Sequence, residues 1–332
     1  MTHGLTIGDV RVGGRVLIAP MTGVTDLPFR RAASRLGAAY VATEMVACVE
    51  LARGRPDVVR RAAVGDGLPL TVIQLVGRSE AWLAAGARMA EAAGADLIDL
   101  NFGCPAKEVT GALSGSALMR DLDQAERLIS AAVEATSRPV TLKMRLGWDD
   151  ASRNAPELGA RAERAGVKAI TVHGRTRQQF YKGTADWDAV AEVKQATSLP
   201  VVVNGDVVDL ASARAALTRS GADAIMLGRG VYGRPWLAAG LERGLSDGAT
   251  ADPGPGREDR LGMVLDHYRD TLGFYGDRIG SRMFRKHLGW YVEQAPWPAC
   301  AQARREAKSR LCRLEDPADV EAGLTELWRE AA

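Results

Sequence analysis

The chain has 332 residues, 46% of them hydrophobic and 36 of them glycine, with a net charge of only +2. That length fits one large domain with a smaller one, and the apolar share is enough for a sizeable core. No run reaches the roughly 18 apolar residues of a membrane span, and Met1–Val12 lacks an apolar signal core, so a soluble, cytoplasmic chain without membrane contact is expected.

Eight apolar runs follow in chain order, at about 16–20, 40–44, 70–76, 97–101, 140–145, 169–173, 201–205 and 224–228. They are rich in Val, Ile and Leu with little alternation, the pattern of strands buried on both faces. Two kinds of entry alternate. Four runs follow a helix that closes on glycine (Gly37, Gly94, Gly166, Gly221), where glycine supplies a left-handed cap. Three begin after Pro69, Pro139 and Pro200. Amphipathic stretches such as Glu80–Ala93 and Leu122–Thr136 lie between. Eight such units over residues 1–245 predict an α/β fold, a (β/α)8 TIM barrel, with an open doubly wound sheet as the alternative. Residues 246–256 (SDGATADPGPG) read as a linker. Residues 257–332 read as a smaller, all-helical domain.

In such a barrel the chemistry sits where strands end. Here the ends are Pro20-Met21, Glu44, Gln74, Asn101, Lys143 with Arg145, His173, Asn204 and Gly228-Arg229. Packing does not require a polar residue at nearly every strand end. Lys143, Gln74, Asn101, Asn204 and His173 suit a polar heterocycle or a phosphate. Only Glu44 adds a strand-end carboxylate, which argues against metal-assisted hydrolysis. The four cysteines form no C-x-x-C pair, so no metal site is expected and reduced thiols are.

Gly228-Arg229-Gly230-Val231-Tyr232-Gly233 matches G-x-G-x-x-G, but it follows the eighth strand, Pro235 comes at once, and no βαβ unit follows. Together with Asn204-Gly205-Asp206 it fits the phosphate grip after strands seven and eight of a barrel. Cys104 stands in a Gly/Pro turn directly past the fourth strand, where a thiol can serve as a general acid. Cys48, Cys300 and Cys312 have no comparable setting.

These residues make the chain resemble the tRNA-dihydrouridine synthases, most closely the bacterial B-type branch. The matching phrases span most of the chain: Ala19 to Asp26 (APMTGVTD), Asp99 to Pro105 (DLNFGCP), Thr141 to Trp148 (TLKMRLGW), His173 to Arg177 (HGRTR), and Gly228-Arg229 with Gly233 to Trp236 (GRPW). The turn with Cys104 is moderately specific alone and strongly so in this company. One departure lies at 106–113 (AKEVTGAL), where the family often carries more basic residues.

The resemblance implies FMN on the barrel. Pro20, Met21 and Thr22 would lie along the flavin, and Gln74 and Lys143 at its pyrimidine edge. His173, Asn204, Gly205, Asp206, Gly228 and Arg229 would complete the flavin and phosphate site. It implies reduction of uridine to 5,6-dihydrouridine in the D loop of tRNA with NADPH, hydride passing from flavin N5 to uracil C6 and a proton from Cys104 to C5. Asn101 and Arg175 would hold the uracil edge, with Arg145 also on the substrate side and Arg177 at the nearby backbone. A monomer is expected.

Residues 278–313 carry nine basic residues against Glu293 and Glu306, in a chain of net +2. Arg282, Arg285 and Lys286 lie among them, as do Trp290, Tyr291 and Trp297. Clustered cations with interleaved aromatics fit RNA. Other readings stay open on sequence alone: an FMN-dependent reductase or dehydrogenase of free pyrimidines, a non-enzymatic RNA-binding barrel, or an aldolase with Lys143 as Schiff-base lysine.

Overall fold

The computed structural model describes residues 4–111, 113–246, 254–295 and 300–329. Residues 247–253 of the 246–256 linker lie outside these residues, as does Trp297. Among the described residues there are ten strands: β1 Thr6–Ile7, β2 Val10–Arg11, β3 Val16–Ile18, β4 Val46–Ala47, β5 Val72–Val76, β6 Leu97–Phe102, β7 Val140–Arg145, β8 Ala169–His173, β9 Val201–Asn204 and β10 Ala224–Leu227. β1 and β2 form an antiparallel hairpin. The other eight make one parallel sheet in the order β3-β10-β9-β8-β7-β6-β5-β4.

The sheet closes through residues 40–43. Bridges join Ile18 to Val41 and Ala42 to Val72, with Ile18 N–H donating to Tyr40 O at 3.0 Å and Thr43 N–H to Val72 O at 2.9 Å. The fold is the expected TIM barrel, not the open sheet. The expected second run, 40–44, thus pairs by single bridges, and the two-residue strand Val46–Ala47 follows it. Between them the Thr43 hydroxyl accepts the Gln74 N–H at 3.0 Å. Glu44 then turns away to accept from Gly23 N–H.

Two apolar layers hold the barrel. Ile73, Ile98, Leu100, Leu142, Ile170, Val203 and Ile225 face the surrounding helices. Leu17, Val72, Leu97, Ala169, Val202 and Met226 fill the interior, and Leu5, Ile7 and Val12 of the hairpin join them. The hairpin thus closes the end of the barrel where the strands begin, which leaves the opposite end for a ligand.

Helix ends follow their capping residues. Asp26, Asp121 and Asp209 each accept a backbone N–H three residues on, at Phe29, Gln124 and Ser212. Gly37, Gly94, Gly166 and Gly221 all have positive φ, as the repeated phrase requires.

Beyond residue 256 come helices Arg257–Tyr275, Asp277–Gln294, Ala301–Leu311 and Pro317–Arg329. Their core is Val264, Tyr268, Phe284, Leu288, Tyr291, Leu311, Leu324 and Leu327. This region docks on the first barrel helix, Leu27–Arg35. Arg31 pairs with Asp270 at 3.2 Å, Tyr275 donates to Asp26 Oδ2 at 3.1 Å, and the Phe29 ring stacks on His287 at 5.5 Å. Among the described residues no helix is long and apolar enough to cross a membrane.

Candidate functional site

The strand ends open into a cavity of about 820 Å³. Its wall includes Pro20, Met21, Thr22, Gln74, Asn101, Cys104, Lys143, Arg145, His173, Arg175, Asn204, Gly205, Asp206, Gly228 and Arg229. Strand register brings them together, since Asn101 pairs with Lys143, Arg145 with His173 and His173 with Asn204. All eleven residues expected at the flavin and the expected acid therefore share one space. Arg177, Arg282, Arg285 and Lys286 lie outside it.

A chain of hydrogen bonds with a defined direction positions Cys104. Asn101 Oδ1 accepts from the N–H groups of Gly103 at 3.2 Å and Cys104 at 2.9 Å. Its Nδ2 therefore faces Gln74 and donates to Oε1 at 2.7 Å. Gln74 Nε2 in turn donates to Asp99 Oδ2 at 2.6 Å. Two backbone donors at one end and a carboxylate at the other leave each amide a single orientation. Asp99 also accepts from the Thr141 hydroxyl at 2.7 Å. Burial raises its pKa from 3.8 to about 6, against the pull of these two bonds.

Burial likewise raises the pKa of the Cys104 thiol above its ordinary value. The group stays protonated at neutral pH, the state an acid needs rather than a nucleophile. Its carbonyl is pinned by Ser116, whose N–H and hydroxyl both donate to it, at 3.1 and 2.8 Å.

The opposite charge pattern governs the rest of the wall. Lys143 Nζ donates to Asn204 Oδ1 at 3.0 Å, a carbonyl rather than a carboxylate. Burial, then the neighbouring Arg145 cation, lower its pKa to about 8. Burial and the cations of Arg145, Lys143, Arg175 and Arg229 hold His173 well below its usual pKa, so the ring is neutral. Gly205 sits at φ +119°, and a Cβ there would lie 2.8 Å from Ala185 Cβ and 3.0 Å from the His173 ring. Only glycine fits that turn.

Two arginines expected at the substrate serve the wall itself. Arg175 is 1% exposed. It donates to the Lys182 and Gly183 carbonyls at 3.0 and 2.7 Å, pairs with Asp206 at 2.5 Å and meets His173 Nε2 at 3.2 Å. Four of its five N–H donors are thereby engaged within the wall, which leaves one hydrogen on Nη1. Arg145 donates to the carbonyls of Gly103, Thr176 and Phe180 at 2.7, 3.0 and 2.9 Å, tying the Cys104 turn to the 176–180 loop.

The basic run in the helical region also divides. Arg304 caps the carbonyls of Val292, Glu293 and Ala295, while Lys308 pairs with Glu293 and Arg310 with Glu326. Tyr291 is 2% exposed in the core and cannot stack on a base. Lys286 points at the barrel: its Nζ lies 2.9 Å from where a Gly23 Cβ would stand, close to the charges of Asp26 and Glu44. Arg278, Arg282 and Arg305 are exposed. Sequence reasoning missed Tyr181, which lines the cavity with the Arg145 and Arg229 guanidinium carbons 5.5 and 5.4 Å from its ring centre. Its place within the long loop between His173 and the helix that begins at Asp188 gives no periodic signal. No group of three or more metal-ligating side chains occurs among the described residues.

A barrel whose strand ends pair an anion-seeking wall with a protonated thiol is the site of an enzyme acting on a bound ring. The dihydrouridine synthase family model matches residues 17–328, and the chain belongs to that family. It is 51% identical over 304 residues to a probable tRNA-dihydrouridine synthase of Rhodobacter capsulatus, covering 91% of this chain and 93% of that one. It is 40% identical over 311 residues to tRNA-dihydrouridine synthase B of Pseudomonas putida, covering 93% and 90%. Among solved structures, morphinone reductase matches with a TM-score of 0.53 at 17% identity, over 76% of this chain and 92% of that one. That last likeness speaks to the barrel alone. Family membership sets aside the non-enzymatic and aldolase readings.

Proposed function

We propose that this protein reduces uridine to 5,6-dihydrouridine in the D loop of tRNA, with FMN as cofactor and NADPH as electron donor, in the cytoplasm and as a monomer. One observation carries the reading: a chain of this family places a protonated thiol, Cys104, and a buried cation hydrogen-bonded to a carbonyl, Lys143, in the same cavity.

The residues present fit FMN. Ala19, Pro20 and Met21 offer an apolar wall for a flat ring. Lys143 beside that wall suits the anionic pyrimidine edge of a reduced flavin. Nothing lies within 4 Å of where a Gly228 Cβ would stand, so its backbone is open to a phosphate, with Arg229 adjacent. Asp206 holds Arg175 and lies 3.7 Å from Arg229, fixing the charge around that turn.

FMN held there and reduced by NADPH would supply the hydride that uracil C6 needs. Cys104 would donate its Sγ proton to C5, so that the C5–C6 double bond becomes a single bond, and the thiolate would be reprotonated from solvent. Asn101 holds the Cys104 turn in register with the ring. Neutral His173 keeps the wall from gaining a further charge. The uridine must leave its stack to reach this depth. The helical region 257–332 is assigned to tRNA, with Arg278, Arg282 and Arg305 toward phosphates.

The test is spectroscopic. Purified protein should carry a flavin that NADPH bleaches and unmodified tRNA restores under anaerobic conditions. Restoration by free uracil or orotate, and not by tRNA, would favour the free-pyrimidine reading instead.

A further inference from the structure

The outer lip of the cavity carries features that the reaction above leaves unused. Phe180 and Tyr181 are exposed there, at 41% and 47%. Tyr181 is held from within by Arg145 and Arg229. Phe180 meets only its edge, with ring centres 4.9 Å apart at 85°. The Phe180 backbone is left-handed, φ +55°, uncommon for a bulky residue. It is held so by Arg145, which donates to its carbonyl at 2.9 Å, and by its own N–H, which donates to Arg177 O at 3.1 Å. An apolar ring kept in water on a strained backbone is a mark of function.

A second feature adjoins it. The guanidinium carbons of Arg120 and Arg177 lie 4.9 and 4.8 Å from the centre of the Trp148 ring. Arg177 N–H donates to Gly147 O and Gln178 N–H to Trp148 O, both at 2.9 Å, so backbone hydrogen bonds join the two loops. Arg177 Nη2 also reaches Thr110 Oγ1 at 3.5 Å, on the segment after the Cys104 turn. The acids of the neighbouring turn are engaged: Asp150 pairs with Arg153 at 2.8 Å, and Asp149 accepts from Ser152 at 2.7 Å.

We propose that this lip is a second RNA-contact surface, on the barrel itself, where Phe180 stacks on a base flanking the target uridine and the Arg120–Trp148–Arg177 cluster takes the phosphates beyond it. The inference rests on the tRNA reading above. Extruding one base exposes the faces of its neighbours, and an aromatic ring at the pocket edge replaces the lost stack. Cations set against an aromatic ring just outward suit the backbone of looped rather than helical RNA.

The test uses the full chain, a tRNA transcript, binding by fluorescence anisotropy across salt, and dihydrouridine yield by mass. Phe180→Ala should bind about tenfold more weakly with the salt slope unchanged, because stacking carries no charge, and Phe180→Tyr should recover most of the loss. Phe180→Gly, which relieves the left-handed backbone, serves as a second truncation should the alanine variant fold poorly. The double variant Arg120→Ala, Arg177→Ala should flatten the salt slope by nearly two phosphates. Wild type that makes dihydrouridine, beside variants that bind and react equally well, overturns the lip alone. Wild type that neither binds nor reduces tRNA overturns the lip and the functional reading together.

Discussion

Asn101 Oδ1 accepts the Cys104 N–H at 2.9 Å, so the turn that carries the thiol hangs from the end of β6. Behind that bond stand Gln74 and Asp99, each fixing the orientation of the next amide. The carboxylate is buried within the barrel, yet it decides which way the amides at the active-site surface point.

Asp99→Asn tests this directionality. The single amide oxygen of an asparagine replaces two carboxylate acceptors, so Gln74 Nε2 and the Thr141 hydroxyl no longer both find one and the anchor of the chain is weakened. Turnover should fall by about tenfold or more while flavin content holds, since about 1–3 kcal/mol attaches to one unsatisfied buried partner. Wild-type turnover in this variant would show that Asn101 is oriented from the Cys104 end alone.

Cys104→Ala should retain the flavin spectrum and its bleaching by NADPH, yet lose on the order of 10²–10⁴-fold in dihydrouridine formation, the usual worth of a placed acid. Single-turnover assays with preformed reduced enzyme isolate the step. An unchanged rate would remove the thiol from the reaction.

Burial raises Asp26, as well as Asp99, from 3.8 to about 6. The folded chain therefore binds protons more tightly than the unfolded one between about pH 4 and 6, and these groups lower stability as pH rises through that window. Each shift corresponds to on the order of 3 kcal/mol by pH 7. Asp26→Asn keeps the helix cap through its amide oxygen and can donate its NH2 to the Tyr275 hydroxyl, so urea unfolding should show it more stable than wild type at pH 7, with the gap closing toward pH 4. The gain is trimmed because Lys286 loses a counter-charge. A constant gap would mean that Asp26 is not buried as a charge.

Lys143→Met should cost most of the bound flavin, read as flavin per chain after gel filtration. Among the described residues the cation hydrogen-bonds to the carbonyl of Asn204 and to no carboxylate, which leaves it available to an anionic ligand. Full flavin occupancy in this variant would move the anion-holding role to Arg229.

Reversing Arg278, Arg282 and Arg305 to Glu should weaken tRNA binding and flatten its dependence on salt, by nearly one phosphate per lost contact. Lys286→Met should leave that slope nearly unchanged, because its ammonium lies against Gly23. A slope that responds to Lys286 and not to the exposed arginines would contradict this division.

Much of this was legible in the sequence. Buried strands and glycine-closed helices write themselves as periodic runs, and the strand ends named the cavity wall, from Gln74 to Arg229, before any geometry was known. Directions were not legible. Arg175 reads as a free cation at a strand end but is turned into the wall by Asp206, Lys182 and Gly183. Tyr291 and Lys286 read as parts of a basic patch, yet helix phase puts one in the core and the other against the barrel. The second run pairs by single bridges at Val41 and Ala42, with Thr43 Oγ1 taking the Gln74 N–H, and apolar patterning does not show such a break. The plugging hairpin, with two-residue strands, is too short to leave a pattern.

The most direct measurement is the mass of an unmodified tRNA transcript after incubation with the purified protein, FMN and NADPH. The account predicts a gain of two hydrogens on a D-loop uridine, dependent on NADPH and lost in Cys104→Ala. An unchanged transcript, from protein that holds flavin and oxidises NADPH, would contradict it.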